Sequence, residues 1–335
     1  MKNLLKIIDD KKKKLDQAKP LPKDLSRNLK DWLRVELTYT SNAIEGNTLS
    51  RQQTAIVLDK GITVNGKSLK EHLEATNHAQ ALDYVYSLAK KNYTLKENDI
   101  LDLHQIILSK IDDQSAGRYR STAVRIAGSR VIMPNPTKIK TLMTKFVHKI
   151  NLNKSLHPVK LAADAHYHLV TIHPFADGNG RTARLLMNLF LIKAGYPPII
   201  IKLTNRLAYL KSLETAQIGG SLDSYYKLIY QSVNNSLDIY LSARVPRVPN
   251  FPKFSSEPSS KKPSPLLKIG QLAKASTETV STIRFWTTQS LLTVSSHSNG
   301  GYQLYDSSMI KQIKKIRQLK QKRYTIKEIK NKLWT

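Results

Sequence analysis

The sequence predicts a mainly α-helical chain in two parts, and three observations lead there. Apolar residues recur at helical spacing around the chemically richest segments, strand-like alternation is confined to short stretches, and a Pro/Ser/Lys segment at 244–265 suits neither helix nor core. With 335 residues and 40% hydrophobic content the chain can bury a full core, and its length suggests two or three domains.

From the N-terminus, Trp32–Gly46 reads as a helix closed by a glycine, with Ser41 and Glu45 one turn apart at its end. Residues 50–60 read as a short helix. The next eight, Gly61 to Gly66-Lys67-Ser68, satisfy the P-loop pattern G-x-x-x-x-G-K-[ST]. A P-loop needs a buried strand before it and a tight loop, whereas a helix precedes this one and three bulky residues fill it. The segment is therefore read as a turn before a helix over 68–90. In 117–136, Val124/Ile126 and Val131/Ile132 alternate around Ala127-Gly128-Ser129, which predicts a β-hairpin and the main strand pair outside the C-terminal part.

The segment His173-Pro-Phe-Ala-Asp-Gly-Asn-Gly-Arg-Thr-Ala-Arg184 lies between two apolar helical patterns, 159–172 and 181–195, the second stopped by Gly195. It is thus a helix–loop–helix corner. Its glycines sit at a helix N-terminus, where unpaired N–H groups and the positive dipole end favour phosphate. His173 can take a proton near neutral pH, Asp177 can hold Mg²⁺, and Gly178, Asn179 and Gly180 can present donors to phosphate oxygens. Arg181, Arg184 and Asn188 fall at i, i+3 and i+7, on one helix face. Each piece alone is usually structural. Together, in apolar surroundings where arginines are costly unless paired, they point to nucleotide chemistry.

These residues resemble the signature of Fic-domain proteins, HPFx(D/E)GNGRxxR, at every fixed position. The resemblance implies a Fic helical core with a β-hairpin flap, and AMP transfer from ATP to a hydroxyl side chain of a target protein, with Mg²⁺. It casts His173 as the base, Asp177 as the Mg²⁺ ligand, Gly178, Asn179 and Gly180 as the α-phosphate cradle, and Arg181 and Arg184 as holders of the β- and γ-phosphates. Ser41-x-x-x-Glu45-Gly46 resembles the family's inhibitory helix, here around 28–46, whose glutamate pairs with the second arginine. Glu45 would then compete with phosphate for Arg184. The flap would align the target's segment by strand addition.

The C-terminal part, IGQLAKASTETVSTIRFWTTQSLL followed by GGYQLY, resembles the winged helix-turn-helix of MerR-type regulators. Helices are expected at 266–276 and 277–289, then a strand over 298–306 and a basic third helix. The resemblance places Thr279, Ser281, Thr282 and Arg284 toward DNA and Tyr302 on the wing. Ile269, Leu272, Ala273, Ile283 and Phe285 are assigned to the core. Ser290 and Gln303 depart from that family's usual Gly and Arg, and a protein-binding role for this part stays open.

The expected division is 1–95, an N-terminal helical region; 96–245, the catalytic core; 246–265, the linker; and 266–335, the winged helix. Net charge is +29, and from Ser264 to Thr335 there are 13 Lys/Arg against 3 Asp/Glu, a density that favours a polyanion partner unless it reflects a general habit of lysine usage. The chain has no cysteine, so disulfides and thiolate metal sites are excluded. No long apolar run or signal peptide is evident, so a cytoplasmic enzyme without a membrane partner is expected, with an unidentified target protein, itself among the candidates, DNA as partner of the C-terminal part, and a homodimer in scope. The competing reading is a DNA-binding regulator that uses the nucleotide site as a sensor. An intact His173 favours the enzyme, because sensing needs no base beside the phosphates.

Overall fold

The computed structural model describes residues 2–90, 94–153, 155–243, 266–289, 291–297, 303–321, 324–326 and 328–329. The chain divides into two units, Met1–Arg247 and Val248–Thr335, and its fold is mainly helical. In the first, the helices run α1 (Lys2–Gln17), α2 (Lys23–Ile44), α3 (Arg51–Lys60), α4 (Leu69–Ala89), α5 (Glu97–Leu108), α6 (Ile139–Leu152), α7 (Pro158–Ile172), α8 (Asn179–Lys193), α9 (Arg206–Gln217) and α10 (Asp223–Ser242).

α8 is central. Leu185, Leu186, Met187, Leu189 and Leu191 are all buried, and Arg181, Arg184 and Asn188 on the remaining face are buried too, so the helix is a core helix with a polar stripe drawn inside. It packs against α7, α4, α5 and α2, while α1 lies along α10. Leu33 and Leu37 of α2, Leu82 and Val85 of α4, Leu103 and Ile107 of α5 and Leu169 of α7 share this core. The polar residues that begin α8 are thereby drawn inside with it.

Both helices flanking the corner form as the apolar spacing predicts. Pro158 opens α7, where its missing N–H costs nothing, and Gly195 follows α8 with φ 76°. α2 starts at Lys23, earlier than the sequence pattern indicates, and Glu45 is its C-terminal cap. The Gly61–Ser68 segment joins two helices, with Gly61 left-handed after α3 and the Ser68 side chain capping α4 by accepting from Glu71 N. No strand precedes it, and the P-loop reading falls.

The 117–136 segment has the expected turn without the expected ladder. Ser129 N donates to Ile126 O at 3.1 Å, and Gly128 has φ 77°. Positive φ at only the third turn residue is type II geometry, which splays the arms of a hairpin. The Arg130 N–H and the Ser129 hydroxyl then go to Glu214 Oε1, at 2.8 and 3.0 Å, instead of across a ladder. The flap is a loop, and strands among the described residues occur in the C-terminal unit alone.

That unit contains β1 (Leu267–Lys268), α11 (Ile269–Ser276), α12 (Val280–Thr288), β2 (Ser296–His297), β3 (Gln303–Tyr305) and α13 (Met309–Gln321). The strands form an antiparallel sheet in the order β1-β3-β2, pairing Leu267 with Tyr305 and His297 with Gln303. The first expected helix thus gives up residues to β1. Of the expected 298–306 strand, 303–305 is strand, while 298–302, including Tyr302, and also Ser290 and the linker lie outside the described residues. Leu272, Ala273 and Ile283 are buried and Ile269 packs against them, but Phe285 is 49% exposed. On α12 the inward face runs Val280, Ile283, Trp286 at three-residue steps, so Trp286, 2% exposed, takes the core place.

Trp286→Ala is expected to destabilise the C-terminal unit by ~3–5 kcal/mol and Phe285→Ala by under ~0.5 kcal/mol. Limited proteolysis of the full chain reads this as cleavage within 266–329 in the first variant and wild-type resistance in the second.

Candidate functional site

The corner between α7 and α8 is fixed largely through backbone carbonyls. His173 caps α7 in the left-handed region, φ 50°, with its N–H on Leu169 O at 2.9 Å. A non-glycine residue there is strained and persists because its surroundings hold it. Arg120 is the holder: Nε donates to His173 O at 2.8 Å, Nη1 to Thr122 O at 2.9 Å and Nη2 to Pro134 O at 2.7 Å. One buried guanidinium thus ties the corner to both ends of the flap.

His104 supports the other side. Gly117 N donates to its Nδ1 at 3.1 Å, which leaves the proton on Nε2 to donate to Asp177 O at 3.0 Å. Its ring stacks on Phe175 at 3.6 Å and 5°. Burial pushes its pKa down to about 4, so it serves as a neutral strut. Asn179 closes the loop, with Oδ1 accepting from Phe175 N at 3.0 Å and Nδ2 donating to Phe175 O at 2.9 Å. Sequence reasoning missed His104 and Arg120, whose partners are backbone atoms distant in sequence and leave no local pattern.

His173 Nδ1 donates to Val170 O at 3.3 Å, so in the neutral ring Nε2 keeps its lone pair. Burial lowers the His173 pKa, with the Arg120 charge adding to it and the Val170 carbonyl, Glu45 and Asp177 opposing. The ring lines a cavity of about 600 Å³ together with Asp177, the Gly178–Gly180 turn, Glu45 and Arg184, and the flap and α9 form its opposite wall. Gly178 has φ 77°, and a Cβ on it would meet the His104 ring at 3.2 Å. At Gly180 an added Cβ would fall 2.2 Å from Glu45 Oε1, so the glycine leaves room for that carboxylate where it now sits.

Arg184 is 5% exposed. Its Nε donates to Ser41 Oγ at 2.9 Å, and Nη2 donates to Ser41 O at 2.9 Å and to Glu45 Oε1 at 2.6 Å. Burial alone would lower its pKa, but Glu45 and the neighbouring Tyr209 outweigh burial and raise it. Arg181 goes elsewhere. It is 2% exposed, does not line the cavity, and lies in ion-pair range of Glu74 at 3.2 Å and Asp177 at 3.4 Å, with Nε and Nη1 lacking hydrogen-bond partners. Asn188 pairs with the backbone of Ile199, N–H to Oδ1 at 2.8 Å, and so is structural.

No cluster of three or more His, Asp or Glu able to hold a metal occurs among the described residues. Asp177 offers one half-exposed carboxylate, which suits an Mg²⁺ that takes its remaining ligands from phosphates and water. In the C-terminal unit Thr279, Ser281 and Arg284 are exposed and Thr282 half-buried, but the Thr279 hydroxyl is engaged as the α12 cap, accepting from Thr282 N at 3.1 Å.

Comparison with known proteins agrees with this geometry. Residues 94–191 match the Fic/DOC family, and residues 267–333 match the MerR HTH family regulatory protein. The Protein adenylyltransferase Fic of Culex quinquefasciatus is 38% identical, over 70% of this chain and 47% of its own length; that of Drosophila mojavensis is 44% identical, over 61% and 41%. The chain therefore spans less than half of these curated relatives. Among solved structures, Fic-1 (residues 134–508) of C. elegans superposes with TM-score 0.66 at 33% identity, covering 72% of each chain. A Fic domain containing signaling protein of Bacteroides thetaiotaomicron gives 0.66 at 31%, covering 71% of this chain and 97% of that one. The chain belongs to the Fic/DOC family.

Asn179→Ala leaves the Phe175 N–H and C=O unpaired in the interior and should cost ~2–4 kcal/mol, read as a lower urea midpoint of the N-terminal unit.

Proposed function

We propose that the protein is a Mg²⁺- and ATP-dependent protein adenylyltransferase, restrained by Glu45 and joined to a DNA-binding tail. The observation that carries the reading is the Arg184 guanidinium, at the wall of a cavity that also holds His173 and Asp177, occupied by the Glu45 carboxylate at 2.6 Å. A carboxylate and a phosphate oxygen compete for the same donors.

In the proposed reaction the target hydroxyl oxygen attacks the α-phosphorus of ATP, its proton passes to His173 Nε2, and pyrophosphate leaves. Asp177 would hold Mg²⁺, which would neutralise phosphate charge. The first-turn N–H groups of α8, which have no partner within the helix, would face the α-phosphate as its charge develops. Arg184, once free of Glu45, would take the terminal phosphates, and Arg181 would support Asp177 from behind. The target is an outside protein or a further copy of this chain, and homodimers would allow modification in trans. The flap would need to exchange its Glu214 contact for a target strand.

The proposed division keeps 1–95 as the regulatory helical region, 96–245 as the catalytic core, 246–265 as the linker and 266–335 as the winged helix. No helix among the described residues is long and apolar enough to cross a membrane, and the reading takes a cytoplasmic setting. The exposed Arg284 and the basic α13 favour DNA as the partner of the tail. That same tail supports the second reading, a regulator whose nucleotide site is a sensor.

Intact-protein mass spectrometry after incubation with ATP and Mg²⁺ tests the chemistry. Glu45→Gly should gain AMP at least about tenfold faster than wild type, and adding His173→Ala should abolish the gain. A Glu45→Gly rate equal to wild type would remove the restraint, and a persistent adduct without His173 would remove the base.

Because His173 must be neutral to accept a proton, the Glu45→Gly rate should fall as pH drops through its pKa. That pKa is lowered, so the acid limb should lie below the ordinary histidine value of about 6.5. A limb centred above it would contradict the assignment. For the tail, Arg284→Ala should weaken binding to duplex DNA and reduce the steepness of its salt dependence, measured by fluorescence anisotropy.

A further inference from the structure

A second cavity, of about 470 Å³, shares no lining residue with the one at the α7–α8 corner. α2 contributes Trp32, Glu36 and Tyr39, which fall at i, i+4 and i+7 and so share a helix face. α10 contributes Asn235 and Ile239 to the facing wall, and the segment between α8 and α9 contributes Lys202. Its size is that of a small-molecule site.

Glu36 is 5% exposed, yet it lines this cavity. Arg51, at the start of α3, meets its carboxylate with Nε 2.5 Å from Oε1, and the same guanidinium lies 5.5 Å from the centre of the Tyr39 ring. The pairing is one-sided. Oε2 has no partner among the described residues, and the Arg51 side chain is 60% exposed. A mostly solvated cation compensates a buried carboxylate only in part, and burial outweighs Arg51 in setting the Glu36 pKa, which is raised. A further cation reaching Oε2 from the cavity would meet the remainder.

The chemistry of that cation is limited by its surroundings. The lining hydroxyls are spent on backbone: Thr40 donates to Glu36 O at 2.7 Å, Ser232 to Leu228 O at 3.0 Å and Ser236 to Pro198 O at 2.5 Å. Recognition falls to the ionic groups and the rings. Aromatic walls beside a carboxylate favour an organic ammonium. A plain amine, however, is repelled by Arg51 and by Lys202, whose side chain is without a partner among the described residues. Those two cations would instead hold a carboxylate. Ile200, Leu203 and Ile239 leave an apolar stretch between the charges.

We propose that this cavity binds a free α-amino acid with an apolar or aromatic side chain, its ammonium on Glu36, its carboxylate on Lys202 and Arg51, and its side chain against Ile200, Ile239 and Trp32. The site is independent of AMP transfer, and its test needs no nucleotide.

The test is calorimetric titration of the full chain with L-phenylalanine and L-leucine, and with phenethylamine and 3-phenylpropionate, which each lack one charge. At least one amino acid should bind saturably with Kd below about 1 mM, and each single-charge probe at least about tenfold more weakly than L-phenylalanine. Glu36→Gln keeps the shape and should weaken amino-acid binding at least about tenfold. Lys202→Ala alters an exposed position that the fold does not need. It should weaken amino-acid binding and leave phenethylamine no weaker than before. Absence of saturable binding by either amino acid, phenethylamine binding as tightly as L-phenylalanine, or an affinity untouched by Lys202→Ala would overturn the assignment.

Discussion

The structure turns on a buried guanidinium. Residues 181–189 of α8 are all buried, so packing carries Arg184 into the interior, where a lone charge is costly and an unpaired one costlier still. The ion pair with Glu45 meets that cost. It also means that any ligand taking the Arg184 donors must displace a partner already in place. On the proposed function, restraint would follow from burial: Arg184 is held by the ion pair that makes its position tolerable. Withdrawal of Glu45 would leave Arg184 donors to be met by an anion or by another acceptor.

Around this pair the corner is braced by side chains that bind backbone. Arg120 holds His173 in its left-handed conformation, His104 holds the Asp177 carbonyl, and Asn179 holds both polar groups of Phe175. Backbone partners give a fixed geometry irrespective of neighbouring side chains, which suits the proposed need to hold N–H groups, a base and a carboxylate in register. The same bracing links the corner to the flap, since Arg120 reaches Thr122 and Pro134 and His104 receives Gly117 N–H.

The sequence was most readable where the chemistry is contiguous. The helix–loop–helix corner and its flanking helices could be read from apolar spacing and glycines, and the Glu45–Arg184 contact from resemblance, because each signal sits within a few residues. What escaped depends on distant partners. The flap carries hairpin-like alternation, yet a carboxylate on α9 captures its amide and the turn type splays its arms. Arg181 shares a face with Arg184, yet Glu74 on α4 draws it away from the cavity. Phe285 and Trp286 are equally apolar in sequence, and only the direction of the α12 face decides which is buried.

The central claim is that Glu45 and terminal phosphates compete for one guanidinium. A double-mutant cycle on ATP affinity tests it most directly: calorimetric titration of His173→Ala protein, alone and with Glu45→Gly, Arg184→Ala, or both. The account predicts tighter ATP binding with Glu45→Gly and no gain from that substitution once Arg184 is gone. An equal gain with and without Arg184, or no gain at all, would contradict it.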